Sequence, residues 1–138
     1  MSISELISPL IGRLVIAWFF LSDAWGRLLN FDATVTLMRL QHIPAAPLLL
    51  VLALLVVALG GLSLIFGYQT RHGAVLLFGF TVVVSVLMHA WWNLHNEVDR
   101  AADYDIFIRN MAIAGGLLLL VGIGPGPFAV DNAGKKKR

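Results

Sequence analysis

Cysteine is absent from the sequence, and charged residues are scarce. Without cysteine the chain has no disulfide, no thiolate metal site, no iron–sulfur cluster and no CxxC redox pair. Charged residues make up 13% of the 138 residues, whereas a soluble domain carries about 25%. Hydrophobic residues make up 59%, and the mean hydropathy is +0.84. A chain this apolar would expose large hydrophobic patches in water, so the composition predicts a protein embedded in lipid.

Four stretches of the chain are nearly free of charge and long enough to cross a bilayer as helices. About 20 apolar residues span the hydrocarbon core. The apolar runs are continuous rather than alternating, which excludes a β-barrel. The sequence therefore predicts an all-α fold, a four-helix transmembrane bundle with short loops, formed by a single domain over residues 1–138. The predicted spans are residues 7–29, 47–66, 73–92 and 106–123.

The first span is the least apolar, because it contains Arg13, Asp23 and Arg27. Asp23 and Arg27 are four residues apart with the acid first, the order that favours a helical ion pair. At about 100° per residue, all three side chains lie within about 80° of one another. We expect this polar stripe to face the bundle interior. That placement makes the segment a retained helix rather than a cleaved signal peptide.

Four crossings place both termini on the same side of the membrane. Arg71 and the basic tail at residues 135–138 lie on that side. Since Lys and Arg are enriched in cytoplasmic segments, we expect both termini in the cytoplasm and the protein in the inner membrane of the cell. A basic cluster directly after a membrane helix is typical of a cytoplasmic end, so no nucleic-acid binding is predicted.

The opposite membrane face receives the end of the first span, the end of the third and the start of the fourth. Polar residues near these ends therefore share one leaflet. Arginine and asparagine donate hydrogen bonds to carbonyl oxygens, and we expect His89 beside Asp23 to relay a proton. The cluster predicts a site for a small polar or quinone-like head group. Its candidate ligand-binding residues are Asp23, Arg27, His89, Trp92, Arg109 and Asn110.

The same residues also have a purely structural interpretation. Arg27 and Arg109 are long enough to reach lipid phosphates, and Trp91 with Trp92 is typical of an interfacial aromatic belt. The histidines are not spaced for haem ligation or for zinc, so no metal site is predicted.

Small residues recur at spacings that let membrane helices approach closely. They predict packing within the bundle, with a homodimer through one of these faces as the alternative. The small residues are Ser22 and Gly26, Gly60 and Gly61, and Ala112 and Gly116.

A series of short motifs along nearly the whole chain resembles the DoxX family. The resemblance implies a four-helix membrane bundle, association with quinone-linked respiratory or sulfur-oxidising complexes, and quinone as the associated cofactor. The motifs are Gly12-Arg13-Leu14, the segments 30–34 and 42–47, Gly60-Gly61, the segment 67–71, His89 with the tryptophans that follow it, the segment 107–117, and the segment 124–128.

Two functions are compatible with these features. The first is a small integral membrane subunit of a quinone-linked redox complex, with other subunits of that complex as partners. The second is a non-enzymatic membrane protein that serves assembly or handles lipids or small solutes. No arrangement of nucleophile, base and orienting residue occurs in the sequence, so no catalytic residue is predicted. At most, the chain is one subunit of a quinone-linked oxidoreductase.

Overall fold

A computed structural model describes residues 2–133 of the chain. Within that range the structure contains helices and no strand. Four of the helices are long and apolar enough to cross a membrane, which confirms the predicted all-α fold. The helices are α1 (Ile3–Leu29), α2 (Phe31–Leu40), α3 (Ala46–Phe66), α4 (Thr70–Met88), α5 (Glu97–Ile123) and the short α6 (Val130–Ala133).

The connection between the third and fourth long helices has different boundaries from those that hydropathy predicts. α4 ends at Met88, and His89 leaves the helix with φ −126°. A 3₁₀ turn follows over Trp91–Asn93. α5 then begins nine residues before the predicted apolar span, because the Asn96 side chain accepts a hydrogen bond from the backbone of Val98 at 3.0 Å. Hydropathy marks the lipid-embedded part of a helix, whereas a cap marks its true start.

The four long helices pack in sequence around a common core. α1 packs on α3, α3 on α4 and α4 on α5, and Ile16 of α1 lies near Gly116 of α5. The buried core residues are Ala17, Phe20, Val57, Leu64, Ala74, Leu77, Leu117 and Leu120.

Gly60 and Gly61 provide the close approaches of α3 that the sequence predicts. A Cβ at Gly60 would lie 2.5 Å from Cγ of Leu77 on α4. A Cβ at Gly61 would lie 2.8 Å from Cγ of Leu21 on α1. Neighbouring helices therefore rest directly on the α3 backbone at these two positions.

The other small residues contribute little to packing between helices. A Cβ at Gly26 would meet nothing within 4 Å, and one at Gly116 would meet only Ile16, at an ordinary 3.7 Å. Ser22 and Ala112 are exposed. The expectation that the Ser22–Gly26 pair packs against another helix of the bundle is thus wrong.

α2 is a short helix that lies over the start of α3. Val35 is buried against Ala46 and Leu50 of α3. The helix begins after Asn30, and Asp32 lies in its first turn.

The segment after α5 folds back onto the end of the bundle that also holds the N-terminus. Arg13 is 1% exposed, and its guanidinium donates to the carbonyl of Pro125 at 2.9 Å and to that of Phe128 at 2.8 Å. Asp131 accepts hydrogen bonds from the backbone N–H groups of Gln69 and Thr70. Arg13 therefore faces the interior as predicted, but it serves the opposite end of the bundle from Asp23 and Arg27.

Candidate functional site: a polar cavity between the first and last long helices

A cavity of about 270 Å³ is lined by residues of α1, α4 and α5. Five of the six candidate residues line it: Asp23, Arg27, His89, Arg109 and Asn110. They come from three separate parts of the chain, and the packing of the long helices brings them together. The remaining wall is largely apolar, with Phe19, Phe20, Phe80, Thr81, Val84 and Ile106.

Asp23 and Arg27 form the ion pair that their spacing predicts. The Arg27 Nε lies 2.7 Å from the Asp23 Oδ2. The side chains remain 37% and 47% exposed, for Arg27 and Asp23 respectively. Exposed ion pairs contribute about 0–1 kcal/mol, so this pair orients the two groups at the cavity more than it stabilises the fold.

His89 pairs with Asp103 rather than with Asp23. Its Nδ1 lies 3.2 Å from the Asp103 Oδ1, and the two side chains are only 19% and 25% exposed. His89 and Asp23 line the same cavity, but the hydrogen bond of His89 goes to Asp103 and that of Asp23 to Arg27. The carboxylate of Asp103 fixes the orientation of the imidazole that faces the cavity.

Asn110 is held by a chain of hydrogen bonds that runs into α4. Its Nδ2 donates to the Ser85 Oγ at 3.0 Å. Ser85 donates in turn to the Thr81 carbonyl at 2.6 Å, and Thr81 donates to the Leu77 carbonyl at 2.7 Å. These bonds leave the Asn110 carbonyl oxygen and its second N–H for the cavity.

Trp92 is the one candidate residue that does not line the cavity. Its ring packs edge-on against Phe107, with centroids 5.8 Å apart, and the residue is 48% exposed. Trp91 packs edge-on against Tyr104 at 5.0 Å. This aromatic cluster sits beside the polar cavity, at the same end of the bundle.

The sequence did not predict Asp103 as the hydrogen-bond partner of His89. Residues 93–105 were predicted as a loop, so Asp103 had no fixed direction. The helix start signal was nevertheless present, because Asn96 is a favoured cap and Glu97 and Asp99 are acids in a first turn. A helix from Glu97 places Asp103 three residues before Ile106 and seven before Asn110, on one face.

Comparison with known proteins now identifies the family. The DoxX model matches residues 8–90. The chain belongs to the DoxX family. That match confirms the resemblance predicted from the motifs and covers most of α1 and all of α2, α3 and α4. The SURF4 family model also matches, over residues 51–138.

Relatives of this DoxX protein include two bacterial membrane proteins. Inner membrane protein YqjF of Escherichia coli (strain K12) is 31% identical over 133 residues, which cover 96% of each chain. Inner membrane protein YphA of the same organism is 28% identical over 123 residues, 89% of this chain and 87% of the relative. The chain is thus similar along nearly its full length to small integral membrane proteins.

A longer relative is a Surfeit locus protein 4 homolog of Drosophila melanogaster. It is 28% identical over 129 residues, which cover 92% of this chain and 41% of the relative. No solved structure matches this chain.

Proposed function

We propose that this DoxX protein binds a quinone head group in the polar cavity and acts as a small membrane subunit of a quinone-linked redox complex. The observation that carries the proposal is the convergence of five polar residues from three separate segments on one cavity. Polar groups within membrane helices are costly to insert. Their convergence on a cavity, rather than on lipid, favours a role in binding.

The cavity offers the groups that a quinone head requires. Arg27, Arg109 and Asn110 are hydrogen-bond donors for its two carbonyl oxygens. Phe20 and Phe80 line the same space and provide apolar surface for the ring. His89, oriented by Asp103, is suited to exchange a proton with a bound oxygen.

A binding measurement with a soluble head group tests this proposal. The purified protein in lipid nanodiscs is equilibrated by dialysis against 2,3-dimethoxy-5-methyl-1,4-benzoquinone, which has no hydrophobic tail. We expect saturable binding that Arg109→Ala weakens about ten-fold, since a hydrogen bond from a charged group contributes about 1.5–3 kcal/mol. Arg39→Ala is the matched control, because Arg39 is exposed on α2 and does not line the cavity. Absence of saturable binding, or equal binding by both variants, would contradict the proposal.

A lipid-handling role is the second candidate function. Arg27 and Arg109 line one small cavity, and two guanidinium groups also suit a lipid phosphate. Mass spectrometry of protein extracted from its native membrane separates the two functions. A retained anionic phospholipid that disappears in Arg27→Ala, with no retained quinone, would favour lipid handling.

The redox-complex partners are tested by isolating the protein from native membranes. Cross-linking before mild detergent extraction, followed by peptide identification, should recover subunits of a quinone-linked oxidoreductase. Recovery of the monomer or of a homodimer alone would contradict the role as a complex subunit while leaving quinone binding open to its own test.

We propose an inner-membrane location with both termini in the cytoplasm, supported by the position of Arg71 and by the basic sequence of residues 135–138, which lie outside the described residues. The absence of native cysteine makes single-cysteine labelling direct. In spheroplasts, a membrane-impermeable maleimide should label Asn93→Cys at once and Tyr68→Cys only after lysis. The reverse pattern would overturn the orientation.

A further inference from the structure

A second cavity adjoins the polar cavity and is almost entirely apolar. It has a volume of about 260 Å³ and lies between α2, α3 and α4. Three residues, Arg27, Phe80 and Val84, line both cavities. The two spaces therefore meet along a shared wall rather than lying at separate places in the bundle.

Arg27 marks the boundary between the two spaces. Its guanidinium is held by Asp23, which lines only the polar cavity. An arginine side chain combines an apolar stem with a charged head, so one residue presents polar and apolar surface to adjacent cavities. A ligand that passes Arg27 would change from polar to apolar surroundings within one side-chain length.

The apolar cavity owes part of its wall to α2. Met38 and Ile43 line it from this side, and Thr34 does so as well. The Thr34 hydroxyl is already bonded to the Asn30 carbonyl at 2.9 Å, so Thr34 has little need of a polar partner in the cavity. The burial of Val35 against Ala46 and Leu50 holds α2 in place.

The volumes of the two cavities favour a single ligand that occupies both. Binding pockets for organic ligands usually enclose about 300–1,000 Å³. The polar cavity, at about 270 Å³, and the apolar cavity, at about 260 Å³, each fall below that range, whereas together they fall within it. The continuity at Arg27 and the contrast in polarity both suit an amphiphile.

We propose that the apolar cavity binds the first part of the hydrocarbon tail of a prenylated quinone whose head group occupies the polar cavity. This inference rests on the proposed function and extends it, because it makes the tail a determinant of specificity. The protein then selects tailed quinones over free head groups through a built site, in addition to the partitioning of the tail into lipid.

Binding of tailed and tailless quinones to two alanine-to-phenylalanine variants tests the proposal. Ala53 lines the apolar cavity, so Ala53→Phe fills part of it. Ala58 lies on the same helix but lines a different apolar groove, beside α1, and Ala58→Phe is the matched control. Both variants and the parent protein are placed in nanodiscs of identical lipid, so that partitioning of the tail is the same for all three.

We expect Ala53→Phe to weaken binding of the tailed quinone about ten-fold, because the displaced tail enters lipid and loses about ten van der Waals contacts with α3 and α4. Binding of 2,3-dimethoxy-5-methyl-1,4-benzoquinone should stay within about two-fold of the parent. Ala58→Phe should bind both compounds as the parent does. Equal binding of the tailed quinone by Ala53→Phe and the parent, with head-group binding intact, would overturn the tail site alone. If the parent protein itself shows no saturable binding of either compound, the proposed function is overturned instead.

A photoaffinity measurement covers the case in which Ala53→Phe fails to fold. A quinone with an azide on the first tail unit is irradiated in the parent protein, and labelled peptides are identified. Label on residues that line the apolar cavity, such as Ala53, Val56 and Val84, supports the tail site. Label confined to residues of α3 that line the other groove, such as Val51 and Leu55, would overturn it.

Discussion

The His89 Nδ1 lies 3.2 Å from the Asp103 Oδ1, and this contact joins the end of α4 to the start of α5 at the edge of the polar cavity. The two residues are separated by a 3₁₀ turn and by the cap of α5, so the pairing depends on how that connection folds. The Asp103 carboxylate behind His89 is only partly exposed, and its contact with Nδ1 fixes the orientation of the imidazole ring.

Replacing Asp103 by asparagine should weaken head-group binding. Asp103→Asn keeps the shape of the side chain but removes the charge that orients His89. Loss of about 1 kcal/mol predicts about five-fold weaker binding of the tailless benzoquinone. Asp99→Asn, at an exposed acid in the first turn of the same helix, is the control. Equal affinities for the two variants would show that the His89–Asp103 contact does not organise the site.

Gly60→Ala should destabilise the bundle, because its Cβ would lie 2.5 Å from Cγ of Leu77. Overpacking of this kind costs about 1–3 kcal/mol, measured as a lower thermal unfolding midpoint in detergent. Gly79→Ala is the control, since its Cβ would meet nothing within 4 Å. Leu77→Ala removes the atoms that the new Cβ would meet. The loss of stability in the double variant Gly60→Ala/Leu77→Ala should therefore be smaller than the sum of the losses in the two single variants. Strict additivity would argue against a direct contact.

Arg13→Met should loosen the C-terminal segment. The carbonyls of Pro125 and Phe128 lose their donor, and we expect a loss of about 2 kcal/mol in the free energy of unfolding. Protease cleavage within residues 124–133 should accelerate. Arg39→Met, at an exposed arginine on α2, should leave both measurements unchanged. Some buried ionic groups can be replaced by apolar side chains without loss of stability. An Arg13→Met protein as stable as the parent would contradict the prediction.

Asp131→Ala should fray the start of α4. The Asp131 carboxylate accepts hydrogen bonds from Gln69 N at 2.6 Å and from Thr70 N at 2.9 Å. Loss of a helix cap costs about 1 kcal/mol, and hydrogen exchange at these two amides should accelerate. Asp131→Asn retains one acceptor oxygen and should show a smaller change. Acceleration spread evenly over α4 would indicate general destabilisation instead of a lost cap.

Local patterns in the sequence determine much of this protein. Twenty charge-free residues fold as a helix in lipid because every backbone polar group must be satisfied within the segment, so the two middle spans follow from composition alone. The Asp23–Arg27 pair follows from four-residue spacing on one helix. The count of crossings places Asp23, His89 and Arg109 at one end of the bundle.

Only the tertiary structure decided which of these groups meet. Arg13 shares a stripe with Asp23, but ten residues along a helix separate them by about 15 Å, and the partners of Arg13 come from the far end of the chain. Asp103 became the partner of His89 because a cap at Asn96 started α5 early. The wall shared by the two cavities is formed by Arg27 of α1 with Phe80 and Val84 of α4. This arrangement depends on contacts between residues distant in sequence, which hydropathy does not record.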